Sequence, residues 1–454
     1  MSALSRVLTE RYRCPADLLK LELQSGLDDD AGLFQFGPGA ICYGRSVPAS
    51  RTRRVGAYLY DVAADVQIYG STVSLPFDPT EIVENLRLER YPGARTSLGR
   101  SIAKKVYYTL RPFLHDSIRA HIQKFQLRKW RTLSFPGWPV DSSVEGICEE
   151  LLSLVLRTSG ADRIPFIWFW PEGMEGCLVM THDIEGEAGR EFCPELMDID
   201  DSYGIKASFQ VVPEGSYSIS TKFLDQIRDR GFEIEIQDLN HDGRLYDERN
   251  EFLRRANLIN EYARKYGANG FRAAVLYRNP EWYDAFDFSF DMSIPNTARL
   301  DPQRGGCCTV MPYFIGQILE LPVTTTQDYM LCQLLEEGSI DLWKDQMRLI
   351  LDKNGLITFI IHPDYVARGR MAALYKELLQ YVRELQNARK IWLALPSEVD
   401  RWWRARAKMQ LVRNGNEWHI EGDGSERAVL AYARNVEGEL RYETDPGLVS
   451  SCLP

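Results

Sequence analysis

Short apolar runs alternate with amphipathic stretches from about Cys177 to Arg406. The apolar runs are strand-like and predict strands buried on both faces: CLVMTHD, KASFQVVP, EIEIQD, GFRAAV, FDFSFDMS, LELPVT, LITFIIHP and IWLALP. Apolar residues recur at helical spacing in the stretches between them, among them TKFLDQIRDRG, NEFLRRANLINEYARKYGA, DLWKDQMRLILDKNG and ALYKELLQYVRELQN. This alternation predicts an α/β fold, a barrel of parallel strands whose chemistry collects at the C-terminal ends of the strands.

The rest of the chain carries different patterns, which predict four parts in all. Residues 1–98 alternate turn sequences with short β-like runs and predict a small β-rich or mixed N-terminal region. Residues 99–175 predict a basic helical segment and a linker, and residues 176–408 predict the barrel. Residues 409–454 alternate polar and apolar positions around Asn-Gly and Asp-Gly turns, which predicts a C-terminal β appendage.

The segment 99–131 differs from the rest in its charge. Lys and Arg occupy nine positions there against the single acid Asp116, and apolar residues recur every four positions. A basic amphipathic helix of this kind can lie on an anionic membrane surface. The alternative is a helix that packs against the acidic remainder of the protein.

Composition and charge narrow the classes of function. The chain has 454 residues, of which 44% are hydrophobic, and a formal net charge of -10. General nucleic-acid binding is excluded, because neutralising phosphates requires a basic surface. The sequence shows neither a membrane-spanning apolar run nor the apolar centre of a secretory signal. We therefore expect a cytoplasmic protein, for which peripheral membrane contact through residues 99–131 is one of the two alternatives given above.

Polar residues with catalytic chemistry follow several of the predicted strands. They are His182, Asp183, Glu185, Gln237, Asp238, His241, Arg272 and His362. The chain holds only six histidines, and three of them fall in this set. A carboxylate can deprotonate water, a bound metal can lower the pKa of that water, and an imidazole can protonate a leaving group. An arginine beside the base favours the charged form of the base. The set therefore predicts a hydrolase.

Five of these stretches resemble, in order and spacing, the motifs of a known superfamily. MTHDIE, IQDLNHDG, GFRAAVLYRN, FSFDMSIPN and FIIHPDY resemble the motifs of the polysaccharide deacetylase (NodB-homology, carbohydrate esterase family four) superfamily. The resemblance covers about Gly176 to Trp403, half of the chain. It implies a distorted (β/α) barrel that removes acetyl groups from N-acetylated sugars, usually with zinc or a similar divalent ion.

The resemblance also implies roles for individual residues. Asp183 matches the general base, Arg272 the arginine that orients this base, and His362 the general acid. The family's first motif is T-F-D-D, and its second aspartate binds the metal. Ile184 stands at that position here, but a branch of the superfamily uses D-x-E, and Glu185 fits that pattern as a metal ligand.

The second motif departs from the family pattern. The family has H-x-x-x-H with both histidines on the metal, whereas this chain has Gln237 at the first position and keeps His241 at the second. An amide oxygen is a poorer zinc ligand than an imidazole, so metal affinity should fall. We expect a divalent metal, zinc, on Glu185 and His241. We expect His182, Gln237, Asp238 and Tyr277 to contact the substrate.

Three of these residues also have a plain structural interpretation. Asp183 could cap the helix after its strand, Glu185 could be a solvated carboxylate, and His241 could bond a backbone carbonyl. The preferred hypothesis is a deacetylase acting on an N-acetylated sugar of a polysaccharide or glycolipid precursor. The alternatives are a metal-independent hydrolase of another C-N bond and an inactive sugar-binding or scaffolding protein. The patterns identify neither the sugar nor an oligomeric state.

Overall fold

The computed structural model describes residues 3–47, 59–94, 135–415 and 417–444. The strands in chain order are β1 Leu21–Leu23, β2 Gly32–Gln35, β3 Ile41–Gly44, β4 Gln67–Tyr69, β5 Thr72–Leu75, β6 Ile164–Ile167, β7 Gly176–Ile184, β8 Ala207–Val211, β9 Glu233–Gln237, β10 Gly270–Arg272, β11 Phe290–Asp291, β12 Tyr313–Ile315, β13 Ile318–Glu320, β14 Leu356–Ile361, β15 Ile391–Leu393, β16 Gln410–Asn414, β17 Glu417–Glu421, β18 Leu430–Val436 and β19 Glu439–Thr444. The α-helices are α1 Arg6–Tyr12, α2 Pro79–Arg87, α3 Ser143–Ser159, α4 Glu187–Ser202, α5 Thr221–Arg228, α6 Arg249–Tyr266, α7 Asp341–Leu351, α8 Pro363–Val366, α9 Gly369–Asn387 and α10 Pro396–Lys408.

The chain divides into two compact units. The first unit takes in the described parts of 1–91, 142–174 and 401–454, and the second takes in the described parts of 92–141 and 175–400. The second unit is built on one sheet with the strand order β12-β13-β11-β10-β9-β8-β7-β14, in which β15 also pairs with β7. All of these pairings are parallel except that of β12 with β13. The sheet curls into a distorted (β/α) barrel, which confirms the predicted fold class.

Local sequence accounts for the elements of the barrel. Every residue of β7 is buried, as expected for a strand covered on both faces. The Ser220 side chain caps α5 by accepting a hydrogen bond from the backbone N–H of Phe223 at 3.2 Å. Helix α6 ends at Gly267, whose φ of 63° is in the left-handed region that glycine adopts without strain. Each of the eight runs predicted as barrel strands overlaps a strand of the sheet.

The first unit is formed by elements from three parts of the chain. Strands β1, β5 and β4 form one small sheet, and β2 and β3 form a hairpin. The β strands predicted in the C-terminal tail are present, since β16 pairs with β17 and β18 pairs with β19. Strand β18 also pairs with β6, so the tail completes a sheet that begins before the barrel in the sequence.

A short segment before α3 belongs to the barrel unit, although its sequence reads as a linker. The Asn296 side chain exchanges hydrogen bonds with the backbone of Asp141, at 2.6 and 2.8 Å. The Arg299 guanidinium donates to the Pro136 carbonyl, and the Gln346 amide donates to the Pro139 carbonyl at 3.1 Å. Residues 135–141 are therefore fastened to the loops that follow β11 and to α7.

No helix among the described residues is long and apolar enough to cross a bilayer. The segment 99–131, for which the sequence predicts a basic amphipathic helix, lies outside the described residues. Its contact with a membrane stays a prediction.

The packing of α7 against β14 gives a testable prediction. Phe359 of β14 is fully buried and meets the Trp343 ring edge-on, with the ring centroids 5.6 Å apart. Replacing Phe359 with alanine should lower the free energy of unfolding by about 3–5 kcal/mol, since buried contacts are lost and a cavity remains. Urea denaturation measures this loss. Leu253→Ala, at a position 37% exposed, is the control; equal losses in the two variants would contradict the described packing.

Candidate active site

Parallel strands bring their C-terminal ends to one edge of the sheet, and five predicted site residues meet there. Asp183 lies near the end of β7, and Glu185 directly follows that strand. Gln237 and Arg272 are the last residues of β9 and β10, and His362 directly follows β14. Contacts between these side chains form a continuous network, described below. The convergence of remote segments that the sequence predicts is therefore present in the structure.

Asp183 is held by two donors from neighbouring strands. Its Oδ1 accepts a hydrogen bond from Arg272 Nη1 at 2.5 Å, and its Oδ2 accepts one from Gln237 Nε2 at 3.1 Å. Arg272 is fully buried, and it also donates to the Thr181 hydroxyl at 2.7 Å and the Met292 carbonyl at 3.1 Å. A buried guanidinium needs such partners because desolvation penalises an unpaired charge. Arg272 thus fixes the direction in which the Asp183 carboxylate points.

Glu185 lies between two imidazoles. Its Oε1 is 2.8 Å from His241 Nε2 and 3.5 Å from His362 Nε2, and Gln237 Nε2 donates to the same oxygen at 3.5 Å. Burial alone would raise the pKa of Glu185, but His241 and His362 outweigh burial and hold this pKa well below its ordinary value. Glu185 therefore stands as a carboxylate at the centre of the network.

His362 is oriented by a carboxylate on its other side. Asp328 accepts hydrogen bonds from both the backbone N–H and Nδ1 of His362, each at 2.7 Å. Burial would lower the pKa of His362, but the carboxylates of Asp328 and Glu185 raise it well above the ordinary value for histidine. The ring is thus an imidazolium at neutral pH, with Nε2–H directed toward Glu185. This is the protonation state that a general acid requires.

The sequence interpretation missed Asp328. The residue follows Thr326-Gln327 in a loop after β13, where no periodic pattern or metal-ligand spacing draws attention to it. The one sequence feature that could have identified Asp328 was its position after a predicted strand. Many carboxylates without a catalytic role share that position. Only the folded chain places it against His362.

His182 does not reach the site. Neighbouring residues of a strand point to opposite faces, so the side chain of His182 leaves the sheet on the side opposite to Asp183. It is fully buried, and its Nε2 lies 2.8 Å from Asp200 Oδ2, while the Tyr375 hydroxyl donates to the other oxygen of Asp200. The expectation that His182 contacts the substrate is therefore wrong, since this side chain joins β7 to α4 and α9.

The loop after β9 positions His241. Asp238 and His241 both have left-handed backbones, with φ of 55° and 57°, a conformation that is costly outside glycine and is often found at functional sites. Asp238 is buried and accepts a hydrogen bond from the backbone N–H of Leu239 at 2.7 Å. Arg255 of α6 holds the loop through Asp242 at 2.8 and 2.9 Å. Tyr277, also predicted to contact the substrate, is 7% exposed.

The donors at this edge do not fit the zinc site that the resemblance implies. Glu185 and His241 supply one carboxylate and one imidazole, and Oε1 of the first lies 2.8 Å from Nε2 of the second. Gln237, in place of an imidazole, presents its N–H donors to Asp183 and Glu185, whereas a zinc ligand must present a lone pair. Within the described ranges, no group of three or more His, Cys, Asp or Glu side chains could hold a metal ion. Glu185 and His241 are brought together as expected, but in direct contact with each other.

The effect of Gln237 on metal binding is testable. Gln237→His restores an imidazole at the position where the amide donates to both carboxylates. Zinc bound by the purified protein, measured by titration calorimetry and metal analysis, should rise by at least about 10-fold in affinity over the unsubstituted chain, because a third suitable donor is gained. His241→Ala added to this variant should remove the gain. Equal zinc affinity in the Gln237→His variant and in the unsubstituted chain would contradict the interpretation of this donor set.

Comparison with protein-family models finds no match, and comparison with curated proteins finds none either. Solved structures do resemble this chain. A protein classified as a polysaccharide deacetylase from Mycobacterium smegmatis is 18% identical, with 55% of this chain and 98% of that protein covered and a TM-score of 0.43. Puue allantoinase is 13% identical, with 52% and 92% covered and a TM-score of 0.40.

A third structure is that of a protein classified as a polysaccharide deacetylase from Pseudomonas aeruginosa. It is 14% identical, with 52% of this chain and 93% of that protein covered and a TM-score of 0.40. The superfamily that the sequence motifs resemble is therefore represented among the solved structures that this chain resembles.

Proposed function

We propose that this protein is a hydrolase of carbon-nitrogen bonds that removes acetyl groups from N-acetylated sugars of a polysaccharide or glycolipid precursor. The observation that carries the proposal is the network in which Asp183, fixed by Arg272, and His362, fixed by Asp328, lie on either side of Glu185. It holds a candidate base and a candidate acid, each fixed by a partner of opposite charge. The acetylated sugar as substrate is taken from the resemblance of the five motifs.

The proposed reaction uses the two fixed groups in turn. Asp183 takes a proton from a water molecule, and the water oxygen forms a bond to the acetamide carbonyl carbon. In this proposal a backbone N–H group stabilises the oxyanion that develops. The carbon-nitrogen bond then breaks, its electron pair stays on nitrogen, and His362 Nε2 supplies the proton that the departing amine takes up. Acetate and the free amine leave.

The same residues favour a route in which no step depends on a metal. The N–H donors of Gln237 face Asp183 and Glu185, and the imidazolium of His362 faces Glu185. Protein donors thus surround the carboxylates that would hold a divalent ion. This arrangement also supports the second candidate function, metal-independent hydrolysis of another C-N bond, which differs from the first in its substrate.

The cellular location at which the protein acts is also part of the proposal. A glycolipid precursor would be met at the cytoplasmic face of a membrane, and the basic segment 99–131 supplies the charge for contact with anionic lipids. Because the chain as a whole carries a net negative charge, we expect contact with anionic lipids only through this segment.

Acetate release from N-acetylated nucleotide sugars and glycolipids, with and without a chelator, tests the proposal. Asp183→Asn and His362→Ala should each lower kcat by about 10²- to 10⁴-fold, the range that general acid-base groups contribute. The chelator should leave the rate unchanged.

Two variants serve as matched controls for this test. Asp352→Asn and His419→Ala make the same chemical changes at exposed positions outside the network and should retain full activity. If Asp183→Asn and His362→Ala release acetate as fast as these controls, the assignment of base and acid is wrong. If the unsubstituted protein binds N-acetylated sugars without hydrolysing any amide, the sugar-binding alternative replaces the hydrolase.

Asp328 should set the alkaline limit of activity. Asp328→Asn removes one of the two carboxylates that raise the pKa of His362, so this pKa should fall. A general acid works only below its pKa, and activity disappears as pH rises through that pKa. The alkaline limb of kcat/KM should therefore move to lower pH, as measured by a pH-rate profile. An alkaline limb that stays in place in Asp328→Asn would show that His362 is not the acid.

A further inference from the structure

Polar side chains line the inside of the barrel beneath Asp183. Asp183 of β7 is the register partner of Gln210 of β8, and Gln210 is the register partner of Glu235 of β9. Register partners on neighbouring strands point to the same face of a sheet. Glu235 and Gln237 share a face because they are two residues apart on β9. The four side chains therefore lie together on the inner face of the sheet.

Two of these side chains carry buried oxygens without a partner. Gln210 and Gln237 are 0% and 1% exposed, and neither Oε1 has a hydrogen-bond partner among the described residues. The nitrogens of both amides are already used, since Gln210 Nε2 donates to Ser208 and Gln237 Nε2 donates to Asp183 and Glu185. Turning the Gln237 amide over would set its oxygen against two carboxylates, so Gln237 Oε1 stays the unpaired atom. The Ser208 hydroxyl can pair with either end of the Gln210 amide, so one polar atom of Gln210 stays unpaired in both orientations. Both buried amides in this region thus need a partner from another source.

Glu235 adds a proton donor at the lower end of this row. Its Oε2 accepts hydrogen bonds from the backbone N–H groups of Asn269, at 2.8 Å, and Gly270. Burial, with repulsion from Glu233, raises the pKa of Glu235 well above its ordinary value. This shift favours the neutral carboxyl, which offers an O–H group. Protein interiors satisfy such mixed sets of donors and acceptors with ordered water, which typically makes about three hydrogen bonds.

We propose that ordered water occupies the barrel interior beneath Asp183, bonded to Gln210 Oε1 and Gln237 Oε1 and reaching the carboxyl of Glu235. This water holds Gln237 with its nitrogen toward Asp183 and Glu185, which makes Gln210 a positioning residue for the base through Gln237. The water site follows from the buried acceptors alone, whereas its effect on turnover rests on the proposed hydrolysis.

A crystal structure of the full chain with ordered solvent tests the water site without any substrate. Density for water within hydrogen-bond distance of both Gln210 Oε1 and Gln237 Oε1 is the expected result. A dry interior in which both oxygens are paired with protein donors, or a metal ion in place of the water, would overturn the proposal.

The variant Gln210→Leu tests the positioning role. It keeps the approximate volume of the side chain and removes the acceptor, so the water should disappear and Gln237 should turn away from Asp183 in the crystal structure. Because a misaligned base affects the transition state rather than substrate binding, kcat should fall by about 10- to 100-fold while KM stays unchanged. Gln380→Leu, at an exposed position on α9, is the matched control and should change neither quantity.

Two outcomes with this variant separate the proposals. If Gln210→Leu retains the water and full kcat, the positioning role is wrong, although the hydrolase assignment survives. If the unsubstituted chain hydrolyses no substrate, the proposed function fails, and the solvent density still decides whether the water site exists. Gln210→Met serves in the same measurements if the leucine variant does not fold.

Discussion

The ion pair between Asp183 and Arg272 is the contact on which the rest of the site depends. The two side chains come from β7 and β10, with β8 and β9 between them, and both are buried. A buried charge that loses its partner destabilises a protein by about 3–5 kcal/mol. The pair therefore favours the register in which these strands end at the same level. That register also sets the positions of Gln237 and Glu185.

Opposite charges are paired throughout the site, which allows several charges to lie in one small volume. Asp183 has Arg272 as its counter-charge, Glu185 has His241 and His362, and His362 has Asp328 on its far side. Each carboxylate thus has a cation or an imidazole within reach. The two ends of the network therefore differ, since Asp183 presents a carboxylate and His362 presents an imidazolium. Gln237 bridges these ends through its contacts with Asp183 and Glu185.

Much of this site could be predicted from the sequence because parallel strands end at a common edge. A chain with polar residues after several apolar runs must bring these residues together there, and Asp183, Glu185, Arg272 and His362 follow this rule. His182 does not, because alternation along β7 turns it to the opposite face. The alternation of side chains along a strand can be inferred from the sequence. The prediction for His182 nevertheless followed from its position next to Asp183 in the chain.

Other features could not be predicted because they depend on contacts between distant residues. Nothing in the residues around Asp328 shows that His362 will lie against it. The zinc expectation came from the family resemblance, with Glu185 and His241 as ligands, whereas the structure shows that Gln237 faces Glu185 as a hydrogen-bond donor. Similarly, residues 135–141 have a linker-like composition, and their attachment to the barrel depends on Asn296, Arg299 and Gln346.

A double-mutant cycle on the free energy of unfolding tests the central pair most directly. Asp183→Asn, Arg272→Met and the combined variant are compared with the unsubstituted chain by urea denaturation. The described contact predicts that each single change strands a buried charge, so the combined variant should lose less stability than the sum of the single losses, by about 1–3 kcal/mol. Losses that add to within about 0.5 kcal/mol would show that Asp183 and Arg272 are not coupled, and would contradict the site as described.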